Sequence, residues 1–121
     1  MPDGYETVLS EGGRELSGGQ RQAICVARAF VGNPKIIIMD EPSSAMDSGS
    51  EKQLLNDLKD ILTNKTLILI THRGTLLSLV DRVVVLDSGR ILADGPKEKV
   101  LQAAAQQASK MQNSKPVTKG E

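Results

Sequence analysis

The pattern of apolar residues predicts an α/β fold with a mainly parallel sheet. Residues 35 to 40 hold the β-branched run Ile36-Ile37-Ile38 before Met39, and residues 66 to 71 hold a second apolar run. Short runs of this kind are typical of strands buried in a parallel sheet. Between them, apolar side chains recur at helical spacing across residues 50 to 63. Strands that alternate with helices in this way indicate helices packed on a sheet.

The first part of the chain predicts one helix between two irregular segments. No regular period runs through residues 2 to 16, and we expect a helix near residues 17 to 32, because Ser17 is a favourable N-cap. Gly32-Asn33-Pro34 predicts a turn before the first strand, and Pro42, which has no N–H to donate, ends that strand. The apolar positions of the helix recur at helical spacing, at Ile24, Ala27 and Val31.

The second part of the chain predicts a hairpin between two helices, the first of them short. Residues 82 to 86 and 91 to 93 are expected to pair as antiparallel strands across the turn signal at residues 87 to 90. A last helix begins at Lys97. Residues 103 to 121 start with good helix formers but have a weak apolar face, so we expect a helix that frays into a polar tail.

The charge balance gives no support for a nucleic-acid or membrane partner, and the cysteine content excludes a disulfide within the chain. Fifteen basic and 15 acidic residues cancel, which removes a global electrostatic argument for binding nucleic acid or an anionic membrane. The one cysteine, Cys25, excludes an intrachain disulfide, and its place in the helical pattern predicts a small core residue. The apolar stretches are far shorter than the roughly 20 residues of a spanning helix, and no signal-peptide pattern opens the sequence.

Two acidic residues close the first strand, where a parallel sheet opens into a ligand crevice. Asp40 and Glu41 follow the isoleucine run directly. Successive strand residues point to opposite faces, so the two carboxylates can act differently, one beside a hydrated Mg²⁺ and the other toward an attacking water. The alternative is a strand that runs into an acidic turn without chemistry.

A glycine-rich helix start supplies the second candidate site. Leu16-Ser17-Gly18-Gly19-Gln20 places two glycines, which let a backbone or a ligand approach closely, at a helix N-terminus. The free N–H groups of such an end suit an anion, for example a terminal phosphate. An ordinary capped helix with a glycine hinge is the alternative, but the five-residue string is more specific than Ser-Gly-Gly alone.

With these motifs in this order, the sequence resembles the C-terminal half of the nucleotide-binding domain of an ATP-binding cassette (ABC) transporter. Leu16 to Gln20 match the family signature, and Ile36 to Pro42 match its Walker B strand with the following glutamate. Ser44 to Asp47 match the D-loop, and His72 matches the switch histidine. The resemblance implies a partial P-loop NTPase sandwich over residues 1 to 102, followed by the helix and tail of residues 103 to 121.

Other strings resemble exporters that fuse their membrane and ATPase parts in one polypeptide, most of all bacterial type I secretion ATPases. Exporters of lipid A or of drugs share most of these strings. The resemblance implies ATP-driven export of a protein or peptide from the cytoplasmic face of the inner membrane, through a transmembrane domain outside this sequence. The strings are Gly4-Tyr5-Glu6-Thr7, Glu11-Gly12-Gly13, Thr71-His72-Arg73 and Asp94-Gly95-Pro96-Lys97.

The resemblance also assigns catalytic roles to single residues. Asp40 would help to hold Mg²⁺ through water, and Glu41 would polarise the water that attacks the γ-phosphate of ATP. His72 would hydrogen-bond that phosphate and sense whether it is present.

The signature residues have a different role by the same resemblance. Ser17, Gly18, Gly19 and Gln20 would contact the ATP held by a second nucleotide-binding domain, and Asp47 would lie near the interface of the two domains. The chain would then carry half of each of two composite sites.

The phosphate-loop motif is absent from the sequence. No Gly-x-x-x-x-Gly-Lys-Ser/Thr string occurs, and the family's Q-loop glutamine and adenine-stacking aromatic have no match either. Because those parts would supply most of the binding energy for ATP, we expect the isolated polypeptide to bind ATP weakly and to turn over negligibly. The missing phosphate-loop strand would also leave a gap between residues 66 to 71 and residues 82 to 86, with unpaired edges.

Three functions remain open on the sequence. The first is a fragment of a transport ATPase. The second is a non-catalytic protein that lends its signature helix to another ABC subunit, which needs a separately expressed partner. The third is an ABC-type ATPase of DNA maintenance, but no coiled coil and no basic DNA-facing stretch is found, so no nucleic-acid partner is expected. We favour the first.

Overall fold

The first regular helix of the computed structural model, which describes residues 4–113, begins at the predicted cap. α1 (Gly18–Ala29) follows Ser17, whose backbone is extended and whose Oγ accepts the N–H of Gln20 at 3.1 Å. The Gln20 side chain accepts the Ser17 N–H in return at 2.9 Å, which completes a capping box. α1 ends earlier than expected, and Gly32, with a φ of 82°, makes the turn that follows.

Two parallel strands form the first sheet, and both lie where the sequence predicts strands. β1 (Ile36–Asp40) pairs with β2 (Thr66–Ile70) in a register that sets the first residues of the two strands opposite each other. Parallel strands need a crossover, and α2 (Ser48–Ile61) provides it. Short 3₁₀ helices at Gly4–Glu6 and Gly74–Leu79 complete this part of the chain.

One face of this sheet holds the core. Ile37 and Met39 of β1 are 3% and 5% exposed, and they pack with Leu58 of α2 and Val26 of α1, at 1% and 8%. Both helices therefore contribute to one apolar cluster on the same side of the sheet, and burial of these side chains drives their association. Partly buried side chains surround the cluster: Phe30, Leu54, Leu62, Leu67, Leu69 and Leu79.

The opposite face of the sheet is open, whereas the sequence predicts strands buried on both faces. Ile36 and Ile38 of β1 are 61% and 65% exposed, and Ile68 and Ile70 of β2 are 49% and 53% exposed. A strand points successive residues to opposite faces, and the core cluster lies on the side of Ile37. The apolar run alone cannot show that only one of its faces is covered.

α1 buries a different face from the one predicted. Ile24 and Val31 are 51% and 79% exposed, whereas Val26 is buried and Phe30, one turn later, packs beside it. Cys25 is also exposed, so the prediction of a core cysteine is wrong. Apolar residues lie on more than one side of α1, and contact with the sheet decides which side is buried.

The chain divides into two units at residue 80, and the second is built on the predicted hairpin. β3 (Arg82–Asp87) pairs antiparallel with β4 (Arg90–Pro96). Ser88 and Gly89 connect them with φ values of 47° and 74°, and two positive values fit a type I′ turn, whose twist suits a hairpin. α3 (Lys97–Asn113) follows and extends the helix expected from residue 97.

The α/β fold class is confirmed, with one parallel and one antiparallel sheet of two strands each among the described residues. β2 and β3 belong to different sheets of the two units, and the gap predicted between them stays a prediction. The polar tail predicted beyond α3, residues 114–121, lies outside the described residues. Between residues 4 and 113, no helix combines the length and the apolar character that crossing a membrane requires.

Candidate functional site

Glu41 is the first residue after β1 and has an uncommon backbone conformation. Its φ is 46°, in the left-handed region, which costs a non-glycine residue about 1–3 kcal/mol. Its N–H donates to the carbonyl oxygen of Ile70 at 2.9 Å, which joins the ends of β1 and β2. The strand ends at Asp40, so the turn, and not the alternation of a strand, sets the direction of the Glu41 side chain.

The Glu41 carboxylate is held by the two residues that follow β2. Its Oε1 accepts the His72 N–H at 3.0 Å and lies 2.7 Å from His72 Nδ1, while its Oε2 accepts the Thr71 hydroxyl at 3.2 Å. An ionised carboxylate can only accept, so Nδ1 of His72 carries a proton in this contact. Burial raises the pKa of Glu41, but the hydrogen bonds from His72 and Thr71 outweigh it, and the pKa is lowered.

Asp40 lies at the same edge of the sheet, opposite Ile70, and is exposed. Across residues 4–113, no group of three or more His, Cys, Asp and Glu side chains is placed to hold a metal ion. A cation at Asp40 would therefore take most of its ligands from water or from a bound phosphate. Mg²⁺ is commonly held in this way, so the single exposed carboxylate fits Mg²⁺ and does not fit a structural zinc.

The signature segment packs against the D-loop at the start of α1. A Cβ added to Gly18 would lie 3.3 Å from the Ala45 Cβ, and one added to Gly19 would lie 3.3 Å from the Ala45 carbonyl oxygen. Both glycines therefore allow the loop to approach the helix closely, as the sequence predicts for a neighbouring backbone. Ser17 and Gln20 use their side chains in the capping box. Contact of these residues with a ligand stays a prediction.

One cleft brings together the residues predicted to bind nucleotide. It lies between the first turns of α1 and α2, and Asp40, Glu41 and His72 are not among its lining residues. The predicted site residues thus form two separate groups within the unit that ends at Leu79. The lining includes Ser17, Gly18, Gly19, Gln20 and Asp47.

Asp47 also has a structural role that the sequence prediction does not include. It is the N-cap of α2, and its carboxylate accepts the N–H groups of Gly49 at 2.9 Å and Ser50 at 3.0 Å. The Ser50 hydroxyl donates to it as well, at 2.7 Å. These hydrogen bonds lower the pKa of Asp47, and the one from the Ser50 hydroxyl has the largest effect.

Gln22 joins the signature helix to the loop that begins at Glu41. Its Nε2 donates to the Glu41 carbonyl oxygen and to the Ser44 hydroxyl, each at 2.9 Å. Its Oε1 accepts the Ala45 N–H, also at 2.9 Å. In the sequence, a glutamine on an amphipathic helix is equally compatible with a solvated face, so only the tertiary structure identifies this contact.

Glu51 is a second residue that sequence patterns do not identify. It lies in the first turn of α2 and is 6% exposed. It accepts the hydroxyls of Ser43 and Thr75, each at 2.6 Å, and pairs with the Arg73 guanidinium. Hydrogen bonds from Ser43, Thr75 and Arg73, in that order, lower its pKa to about 2. An acid in the first turn of a helix is common on solvated faces, so its position alone does not predict a buried contact.

Comparison with known proteins decides the family. Residues 1–44 match the family model described as ABC transporter. The sequence is 43% identical over 101 residues, or 84% of this chain, to the leukotoxin export ATP-binding protein LtxB of Aggregatibacter actinomycetemcomitans. This chain belongs to the ABC transporter family. It is also 44% identical over 102 residues, 84% of its length, to the leukotoxin translocation ATP-binding protein LktB of Mannheimia haemolytica.

A further ABC relative and a solved ABC exporter extend the comparison. A multidrug efflux ATP-binding/permease protein of Mycobacterium tuberculosis is 44% identical over 100 residues, 83% of this chain. A bacterial Atm1-family ABC exporter with ATP bound covers 99% of the chain with a TM-score of 0.75 and 31% identity. The likeness to this exporter agrees with the fold of a partial P-loop ABC ATPase.

The chain spans only a small part of these ABC proteins. It covers 14% of LtxB and of LktB, 8% of the multidrug efflux protein and 21% of the solved exporter chain. The activity, cargo and partners of a whole exporter therefore come to this chain as proposals.

Proposed function

We propose that this chain is part of the ATP-hydrolysing subunit of an ABC exporter, in which Glu41 and His72 act at the terminal phosphate of ATP. The contact of 2.7 Å between the Glu41 carboxylate and His72 Nδ1 carries this proposal, because it lies at the carboxyl ends of two paired parallel strands. Ligands of open α/β sheets bind at this edge. An acceptor beside a hydrogen-bond donor there suits attack by water on a phosphoryl group.

Glu41 would orient and polarise the attacking water. Its lowered pKa keeps the carboxylate charged near neutral pH, as an acceptor for the proton of that water requires. His72 donates from Nδ1 to Glu41, so a hydrogen bond from Nε2 to the γ-phosphate requires a second ring proton, as in the imidazolium form, in which both nitrogens donate. The His72 side chain is 80% exposed, so a ligand can reach it.

Asp40 would hold Mg²⁺ through water at the same edge of the sheet. Its exposed carboxylate adjoins Glu41 in the chain, so the ion and the water would be bound by neighbouring residues. Bound Mg²⁺ supplies positive charge that stabilises the phosphate oxygens.

The cleft at the start of α1 would receive the ATP of a second nucleotide-binding domain. The Gln20 N–H already donates to Ser17 Oγ, so the first-turn N–H groups of Gly18 and Gly19 are the donors we assign to that phosphate. Asp47 lines the same cleft and would lie near the interface of the two domains. The separation of this cleft from the Glu41–His72 contact supports two half-sites in each chain.

The exported cargo is inferred from the relatives. Two of them are named for leukotoxin export or translocation, which supports secretion of a protein or peptide. A transmembrane domain and a place at the cytoplasmic face of the inner membrane are part of the proposal through the sequence resemblance alone. The relative named for multidrug efflux is about equally similar. A transport assay must therefore compare a secreted protein with small hydrophobic compounds.

The chain alone would not hydrolyse ATP. Its sequence contains no phosphate-loop motif, and backbone N–H groups of such a loop normally cradle the phosphates. Residues 1 to 102 would form the ATPase part, and residues 103 to 121 a separate helix and tail.

A chimera tests this function. The 101-residue segment of LtxB that aligns with this chain is replaced by the segment from this chain, and ATP hydrolysis by the purified exporter is measured. We expect hydrolysis that falls roughly 100-fold or more with Glu41→Gln, as for loss of a general base. Glu15→Gln changes an exposed glutamate that accepts the nearby Ser10 N–H, and this matched control should leave hydrolysis unchanged.

Two outcomes would contradict the proposal. A folded chimera that does not hydrolyse ATP, or that hydrolyses it equally well with Glu41→Gln, would remove the assigned role of Glu41. Robust hydrolysis by the isolated chain, sensitive to Glu41→Gln, would show that the phosphate-loop motif is not needed.

A further inference from the structure

Glu51 is a buried charged residue that the chemistry proposed above does not use. Its side chain is 9% exposed. Moving a carboxylate out of water costs free energy unless hydrogen bonds or an opposite charge compensate it. A buried carboxylate therefore depends on the side chains that surround it. In this chain the partners come from two segments that are distant in sequence.

The three partners of the Glu51 carboxylate follow Glu41 or His72 within three positions of the sequence. Ser43, two positions after Glu41, donates its hydroxyl at 2.6 Å. Arg73 follows His72 directly and pairs with the carboxylate, and Thr75 donates its hydroxyl at 2.6 Å. One carboxylate therefore joins the loop that carries Glu41 to the segment that carries His72.

The direct contacts of the pair are less protected than this anchor. The His72 side chain is 80% exposed, and exposed ion pairs contribute little to stability. Glu41 also has a strained left-handed backbone, which persists only where the surrounding contacts hold it. A buried anchor on each flanking segment supplies the constraint that the pair lacks.

We propose that Glu51 is a positioning residue, whose buried carboxylate keeps Glu41 and His72 in contact by anchoring the segment that follows each of them. In this role it acts through those two residues, and not directly on the attacking water or the phosphate. The proposal rests on the roles assigned above to Glu41 and His72. Its pKa of about 2, lowered first by the Ser43 hydroxyl, agrees with a carboxylate that is charged near neutral pH.

The test uses NMR on the full 121-residue chain, with no nucleotide added. The carboxyl ¹³C chemical shift of Glu41 reports the hydrogen bonds that its carboxylate accepts, and ring ¹⁵N signals report which nitrogen of His72 is protonated. His72 is the one histidine of the sequence, so its signals are unambiguous. In the Glu51→Gln variant we expect the Glu41 carboxyl ¹³C shift to move from its wild-type value at constant pH, as these hydrogen bonds are lost, and the Nδ1-protonated form of His72 to lose population.

Two further variants keep the test decisive. Thr75→Val removes one hydrogen bond to Glu51 while keeping the shape of the side chain, so it should move both signals in the same direction by a smaller amount, even if Glu51→Gln does not fold. Asp94→Asn removes the carboxylate paired with Arg82 at 2.8 Å in the second unit and is the matched control. It should leave both signals unchanged.

The proposal would be overturned if the Glu41 and His72 signals stay unchanged in a folded Glu51→Gln chain. If Glu51→Gln fails to fold, unchanged signals in Thr75→Val would overturn it equally. Glu51 would then be a purely structural residue. These readouts do not depend on ATP. Failure of the chimera to hydrolyse ATP would therefore refute the proposed function without altering the NMR result, and the two failures are distinguishable.

Discussion

Replacing Gln22 by methionine measures how strongly the signature helix is joined to the Glu41 loop. The substitution removes three hydrogen bonds of 2.9 Å, to Glu41, Ser44 and Ala45. Each such bond contributes about 0.5–1.5 kcal/mol net. Methionine has a side chain of similar length and a similar helix propensity, so packing and helix propensity contribute little to the difference between the two proteins. Because the Ser44 hydroxyl can rehydrate, we expect the free energy of unfolding to fall by about 2 kcal/mol.

The assay is urea unfolding of the full chain, followed through amide signals of β1 and β2. These signals report the unit that ends at Leu79 separately from the other unit. Gln53→Met is the matched control, since Gln53 lies on α2 and bonds to Asp57, four residues later, at 2.9 Å. Pairs of this kind contribute about 0.2–0.5 kcal/mol, so the control should lose no more than that.

A loss for Gln22→Met equal to that of Gln53→Met would refute this reasoning. It would mean that the three contacts exchange with water at no net cost, and that the loop after β1 holds its conformation without α1. An equal loss with a changed denaturant slope would instead indicate a change in the surface exposed on unfolding.

Two other predictions concern Glu51 of α2 and Asp47, the N-cap of that helix. Glu51 has a pKa lowered from 4.5 to about 2, so its contribution to stability is present above pH 4.5 and is lost as the pH falls toward about 2. The urea midpoint of the wild type should therefore fall more steeply over this pH range than that of Glu51→Gln. Parallel curves for the two proteins would contradict this prediction. Asp47→Ala removes the N-cap and should lower the free energy of unfolding, measured in urea, by about 0.5–2 kcal/mol. Asp47→Asn keeps a hydrogen-bond acceptor at this position and should lower it less. Equal losses for the two variants would argue against capping by Asp47.

The positions of helices and strands were largely predictable, because they depend on neighbouring residues. The Ser17 cap, the strand that ends before Pro42 and the hairpin turn at Ser88 and Gly89 all lie where local signals place them. The buried face of α1 was not predictable. Val26 is covered and Ile24 is exposed, although both are apolar, and the difference arises from contact with a sheet formed by later residues.

The residues of the candidate site also differ in whether the sequence predicts them. Motif order alone predicts Asp40, Glu41 and His72 as site residues, and the structure places the last two in hydrogen-bond contact. Gln22 and Glu51 carry no such signal. Glutamine and glutamate are common on solvated helix faces, and nothing in the neighbouring residues distinguishes these two.

The sequence by itself determined the α/β class, the strand positions and the resemblance to the ABC transporter family, because helix caps, turns and apolar runs act between residues a few positions apart. The tertiary structure alone decided which faces are buried and which side chains hold Glu41. Its backbone carbonyl is bound by Gln22, 19 positions away, and its carboxylate by His72, 31 positions away. Contacts over such separations exist only after the strands have paired and the helices have packed, so no local pattern contains them.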